Sequence, residues 1–277
     1  MDSARGPLRQ CLVPFIRRYG LLLVPILAFT FWSIIILGLL LSWTASDGAR
    51  RYYDSESAVI YISDSGAEHR ILFIIGATMT SVFYTLTLLL ERLVTIRIPN
   101  QITPRKAMIC SSIAIGFAFI SSLALFLLSI FDTFKYRTFH WSLTMTFVGC
   151  VSAGSVLQTM SMYALKNYNP KVTILKKQAL CKLIIMCTGA FLGVGFCATY
   201  GLCRGLNTTP QCDTITSVSA AFEWAIAVTL DVFLLTLIHD MWLSLKARYE
   251  TPVIEHQDGQ QDSEFHVEFE TDKEYAT

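Results

Sequence analysis

Two acids stand inside an otherwise apolar stretch, Glu223 and Asp231 in VSAAFEWAIAVTLDVFLLTLIHDMWLSL, residues 218–245. A carboxylate inside a bilayer costs several kcal/mol unless it faces protein or water, so both are candidates for function. Eight residues of helix set them ~12 Å apart along the axis and ~80° apart around it, so both can face the interior of one bundle. The chemistry open to such a pair is the binding of a lipid headgroup, an ion or a proton. The structural alternative is a hydrogen bond to Ser, Thr or Gln158 on a neighbouring helix.

Catalytic patterns are absent. No H-E-x-x-H, G-x-S-x-G or P-loop sequence occurs anywhere in the chain. The segments that would face one side of a membrane carry Asp54, Glu56, Asp64, His69, Asp132 and His140. Two histidines fall short of a zinc site, which takes three or four ligands. No enzyme, cofactor or metal is expected.

The elements that position these residues follow from composition. Of 277 residues 53% are hydrophobic and 16% charged, and mean hydropathy is +0.49; soluble domains carry about a quarter charged residues. Uncharged runs cover 19–46, 71–90, 107–131, 141–165 and 183–203, each at or above the ~20 residues that cross a bilayer. The stretch holding Glu223 and Asp231 makes a sixth. This excludes a soluble enzyme, a nucleic-acid-binding module and a disulfide-stapled secreted domain as readings of the whole chain.

The expected fold is all-α, a six-transmembrane-helix bundle. The predicted helices are about 21–43, 71–90, 107–131, 141–165, 181–202 and 218–242. A cytoplasmic N-terminus (1–20) and an acidic, disordered cytoplasmic tail (246–277) flank a membrane domain over 21–245. The first apolar stretch exceeds a signal-peptide core of roughly 7–15 residues and no A-x-A site follows it, so it reads as a retained helix, with Pro25 expected to bend it. With both termini on one side, that side holds sixteen Lys and Arg against six on the other. The bias makes the basic side cytoplasmic.

Net charge +1 averages two unlike parts: residues 250–277 sum to −8 and the rest to +9. The tail has the composition of a disordered segment. The cytoplasmic loop 166–182 carries Lys166, Lys171, Lys176, Lys177 and Lys182. These bases are candidate contacts for anionic inner-leaflet lipids, against the plainer reading that they only set orientation. His239 beside Asp240 reads as an interfacial ion pair.

On the external side, Cys203 and Cys212 are a candidate disulfide, two free thiols being the alternative. Asn207-Thr208-Thr209 fits the N-glycosylation pattern, with Pro210 behind it weighing against. Gly189 and Gly193, continued by Gly195, form a helix-packing surface.

Three segments taken in order carry a family likeness: VIYISDSG at 59–66, LLSIFDT at 127–133 and FEWAIAVTLDVFLLTLIHD at 222–240. Over residues 15–245 the chain resembles the Frag/DRAM/Sfk family, and its fungal Sfk-like members in particular. The resemblance implies a six-helix membrane protein with cytoplasmic ends that is not an enzyme. It also implies a role in phosphoinositide homeostasis or lipid asymmetry at the plasma membrane, or in autophagy at endomembranes. A lipid kinase complex is the implied protein partner, and remodelling of glycosylphosphatidylinositol anchors is a more distant association.

The family pattern falls on Ile62, Ser63, Asp64 and Gly66, on Phe131 and Asp132, and on Glu223 and Trp224. Asp64, Asp132 and Glu223 are expected to lie near the external interface, either binding a cation or headgroup or pairing with Arg70, Lys135 or Arg137. The alternative function is a transporter or channel using Glu223 and Asp231.

Overall fold

The computed structural model describes residues 20–98, 103–168 and 173–250. The N-terminal segment, Lys171 and the acidic tail beyond residue 250 lie outside the described residues, as does the side chain of Lys176.

Among the described residues every regular element is helical: α1 (Leu23–Leu41), α2 (Ile62–Glu68), α3 (Arg70–Thr95), α4 (Arg105–Ile130), α5 (Arg137–Tyr168), α6 (Thr173–Cys203) and α7 (Pro210–Glu250). Six helices among the described residues, all but the short α2, are long and apolar enough to cross a membrane. Apolar runs of about 20 residues select helices over the shorter strands of a barrel, and a helix satisfies the hydrogen bonds of a lipid-exposed backbone within its own segment. The helices form a closed ring in which α1 packs on α3, α3 on α4, α4 on α5, α5 on α6, α6 on α7 and α7 on α1, with α3 touching α7 across the middle. The core runs through that centre, from Trp32, Ile35 and Leu39 of α1 to Leu234 and Leu237 of α7.

The helices outrun the apolar stretches that reveal them. α7 begins at Pro210 rather than 218 and continues to Glu250 rather than 242. Its start has a local cause. The Thr209 hydroxyl accepts the Cys212 N–H at 3.1 Å, and proline suits the first helical position because its missing N–H would be unpaired there anyway. α6 likewise starts at Thr173, since helical hydrogen bonding continues through the headgroup region where hydropathy has already fallen. Pro25 does not break an interior turn: α1 starts at Leu23 after a 3-10 turn at Gly20–Leu22, which places the proline where no intrahelical bond is lost.

The packing surface on α6 also departs from expectation. A Cβ on Gly195 would lie 2.7 Å from the Phe222 ring, and one on Gly189 would lie 3.7 Å from Thr229, whereas Gly193 meets nothing within 4 Å. The close approach to α7 therefore centres on Gly195.

The ring has two unlike ends. Residues 47–61, α2 and residues 204–209 cap the loop end, the predicted external side. The basic end, where α3, α4, α5 and α6 are joined, is the predicted cytoplasmic side.

Candidate functional site

The loop end is built around the peptide Ile60–Gly66. Tyr61 has extended backbone, and α2 starts at Ile62 with Asp64 folded back so that its carboxylate accepts the Tyr61 N–H at 3.4 Å. Glu223 of α7 accepts the Ile62 N–H at 2.8 Å, and the neighbouring Trp224 donates its indole N–H to the Ile60 carbonyl at 3.1 Å. Glu223 and Trp224 thereby anchor α2 onto α7, joining two of the three segments that carry the family likeness. Gly66 permits the next contact, because a Cβ there would sit 2.7 Å from the Phe73 ring.

The third segment borders the same place. The Phe131 carbonyl accepts from His140 Nδ1 at 2.7 Å, and the Phe131 ring meets Phe139 edge-on at 5.0 Å. Asp132 does not join the other acids. Its carboxylate accepts the Lys135 N–H at 2.8 Å and closes the turn before α5. The expectation of one constellation of Asp64, Asp132 and Glu223 is thus corrected: a short polar side chain next to a turn is taken by its own backbone.

Glu56 stands in its stead. Glu56, Asp64 and Glu223 line a cavity of about 190 Å³, together with His140, Arg137 and Trp141. Glu56 Oε2 accepts the Tyr52 and Tyr53 N–H groups at 2.6 and 3.1 Å. Its other oxygen and His140 Nε2 are buried without partners. One wall is aromatic, with Trp141 stacked on Tyr200 at 4.0 Å. Ser55, Phe134 and Arg137 are exposed at its edge.

The cations expected to neutralise these acids are committed elsewhere. Of these, Arg70 donates to the Ile130 carbonyl at 3.1 Å and Arg137 to the Arg204 carbonyl, and no ion pair links Lys135 to an acid among the described residues; Arg51, not among the expected cations, pairs with Asp213 at 3.0 Å. Burial, reinforced by the charges of Glu56 and Glu223, holds the Asp64 carboxyl well above its ordinary range. Burial also pushes Glu56 upward, against the opposing pull of its two backbone hydrogen bonds.

Asn207 and the cysteines complete this end. Cys203 and Cys212 form a disulfide, which ties the end of α6 to the first turn of α7. Asn207 donates its side-chain N–H groups to the Asp54 and Glu56 carbonyls at 2.9 and 2.7 Å. That nitrogen is the atom a glycan would occupy, and attachment there would cost at least one of these bonds, which argues against the glycosylation reading. Near the middle of the bundle Asp231 takes the structural alternative, accepting from the Ser33 hydroxyl at 2.9 and 3.1 Å.

A second polar cluster lies toward the basic end. Lys182 and Asp240, with side chains 1% exposed, form an ion pair. Gln178 donates to Asp240 at 2.9 Å, and Gln158 donates to Glu91 at 2.8 Å. Two expectations are corrected here. Lys182 is turned into the bundle and is unavailable to a lipid surface, and Asp240 pairs with it rather than with His239, which stacks on Trp242 at 5.9 Å. Among the other lysines, Lys177 is exposed and Lys166 lies over the Tyr163 ring at 5.1 Å. Sequence reasoning missed Glu91, which appeared only as the charge that ended an apolar run. A charge at such an edge, inside a helix that continues beyond it, was the available signal.

Comparison with known proteins agrees with this architecture. The sequence profile of the Frag1/DRAM/Sfk1/Cwh43P N-terminal domain matches residues 20–244. Protein sfk1 of Schizosaccharomyces pombe is 26% identical over 224 residues, which cover 79% of this chain and 63% of that protein. The chain thus spans somewhat under two thirds of its relative's length. No solved structure matches it significantly. The profile takes in both polar clusters and nearly the whole of the six spans found among the described residues, and the protein is a member of the Frag1/DRAM/Sfk1 family of integral membrane proteins.

Proposed function

We propose that the protein regulates membrane lipid homeostasis, acting without catalysis on phosphoinositide signalling or on the distribution of lipids between leaflets, most directly at the plasma membrane. The carrying observation is the loop-end pocket, an acidic cavity beside the helix ends, to which each of the three segments that carry the family likeness contributes at least one residue. Support for the biological setting comes from the likeness to Protein sfk1. The exposed Lys177 is the described member of the basic loop best placed to meet anionic inner-leaflet lipid. A lipid kinase complex is the protein partner this reading favours, and an endomembrane is the alternative location.

The transporter alternative has less support, because Asp231 is held by Ser33 and Glu223 by the Ile62 N–H. Lipid probes for phosphatidylinositol 4-phosphate and phosphatidylserine, read in cells lacking the protein and in cells re-expressing it, test the proposal. The expected result is an altered distribution that re-expression restores. An unchanged distribution of both lipids would sink it.

A further inference from the structure

We infer that the loop-end pocket is a receptor for a primary ammonium carried beside a phosphate, the headgroup chemistry of an ethanolamine phospholipid in the adjoining leaflet. The inference rests on the lipid-regulating reading and names the lipid class.

Charge comes first. Three acids line the cavity, none of them forms an ion pair with a described residue, and the one guanidinium among the lining residues, Arg137, stands exposed at the edge. The unpartnered atoms are more selective. Glu56, 6% exposed, has one carboxylate oxygen without a donor. His140, 5% exposed, faces a carbonyl with Nδ1. Because a carbonyl only accepts, Nδ1 carries the proton, and in the neutral ring Nε2 is a bare acceptor. Two buried acceptors beside a cavity call for a donor, and an ammonium supplies three N–H groups.

Size and geometry narrow the occupant. The cavity measures about 190 Å³. That is below the ~300–1,000 Å³ of drug-sized sites and suits a headgroup. Among the described residues no three His, Cys, Asp or Glu side chains converge to hold a metal ion. A choline headgroup has no N–H for Glu56 or His140. A serine headgroup brings its own carboxylate against three acids. Arg137 keeps guanidinium donors beyond the one used on Arg204, placed at the edge where a phosphate would follow the ammonium.

Binding to the purified full chain in detergent is read by thermal unfolding and by tryptophan fluorescence, since Trp141 lines the pocket. The probes are dihexanoyl phosphatidylethanolamine, the matching choline and serine lipids, and free phosphoethanolamine. The ethanolamine lipid should bind about tenfold more tightly than the other three.

Glu56→Gln keeps an oxygen for the Tyr52 and Tyr53 N–H groups but turns the unpartnered atom into a donor. It should leave the ligand-free unfolding temperature unchanged and lose about tenfold in affinity. Arg137→Gln, at an exposed position, should weaken the ethanolamine lipid and leave binding of free ethanolamine, added as a fifth probe that lacks the phosphate, unaffected. Equal binding of the choline and ethanolamine lipids, or unchanged binding by Glu56→Gln, overturns the inference. So does phosphoethanolamine binding as tightly as the lipid, which would make the ligand a soluble amine. Re-expression in cells separates the two readings. If the wild type and Glu56→Gln both restore lipid distribution, the regulatory reading stands without this site. If neither cell line differs from the deletion while the ethanolamine preference holds in solution, the site stands and the regulatory reading fails.

Discussion

The two ends of the bundle handle buried charge in opposite ways. Toward the basic end, Lys182 sits against Asp240, Gln178 donates to the same carboxylate, and Gln158 donates to Glu91, so each buried charge there meets a side chain from another helix, although the amide oxygens of both glutamines are left without a donor. At the loop end, Glu56, Asp64 and Glu223 surround a cavity and no described cation pairs with them. Each of the three is held at one oxygen by backbone N–H groups. Charge matched inside the chain works as a lock between helices. Carboxyl groups positioned by backbone and left without a counter-ion are what the proposed ammonium site draws on.

The largest expected effect tests the lock. Lys182→Met leaves Asp240 buried and unpaired and should cost about 3–5 kcal/mol, seen as a lower unfolding temperature in detergent. Adding Asp240→Leu should recover most of that loss, because an apolar pair avoids the desolvation of both ions. If the single change is harmless, the basic-end cluster is no lock and the contrast between the ends fails.

Next in size is the disulfide. Cys203→Ser should lower stability by about 2–3 kcal/mol, as expected for closing a short loop. Because Gly205 and Leu206 line the pocket, it should also weaken ligand binding there, whereas Lys182→Met with Asp240→Leu should not.

A smaller effect depends on pH. Asp64 holds its proton to higher pH in the folded protein than in the unfolded chain, because it is buried beside Glu56 and Glu223, with only the Tyr61 N–H and the more distant Arg137 opposing. Between the ordinary carboxylate range and that raised value the folded state binds the extra proton, so stability falls as pH rises through this window. Asp64→Asn should remove that decline and be the more stable form above it, as followed by unfolding temperature against pH. A parallel decline in both proteins would contradict the assignment. Smallest of all, Asp231→Asn keeps a partner for Ser33 and should shift stability by less than about 1 kcal/mol. A loss of several kcal/mol would make Asp231 part of a third charged centre.

Much of the fold was legible before any coordinates. A bilayer demands about 20 apolar residues per crossing and forbids unpaired backbone, so composition alone specified six helices and their approximate centres. Glu223 was legible for the same reason, since a carboxylate in an apolar run is expensive and must be held. The helix ends were less so. Thr209-Pro210 is a recognisable start, but hydropathy marks where lipid ends rather than where helical hydrogen bonding ends.

What tertiary structure alone decided is which polar groups meet. Lys182 belongs to a lysine-rich stretch, and its composition pointed to water. Its position on the face of α6 turned toward α7 sent it to Asp240 instead. Asp132 and Glu56 were equally plausible acids on the same side of the membrane, and the turn before α5 took the first while the fold of residues 52–64 brought the second to the cavity. Sequence determined that the chain crosses the membrane as helices because that depends on one segment and its solvent at a time. Pairing of charges depends on the rotation and contact of helices far apart in the chain, and no single segment carries that information.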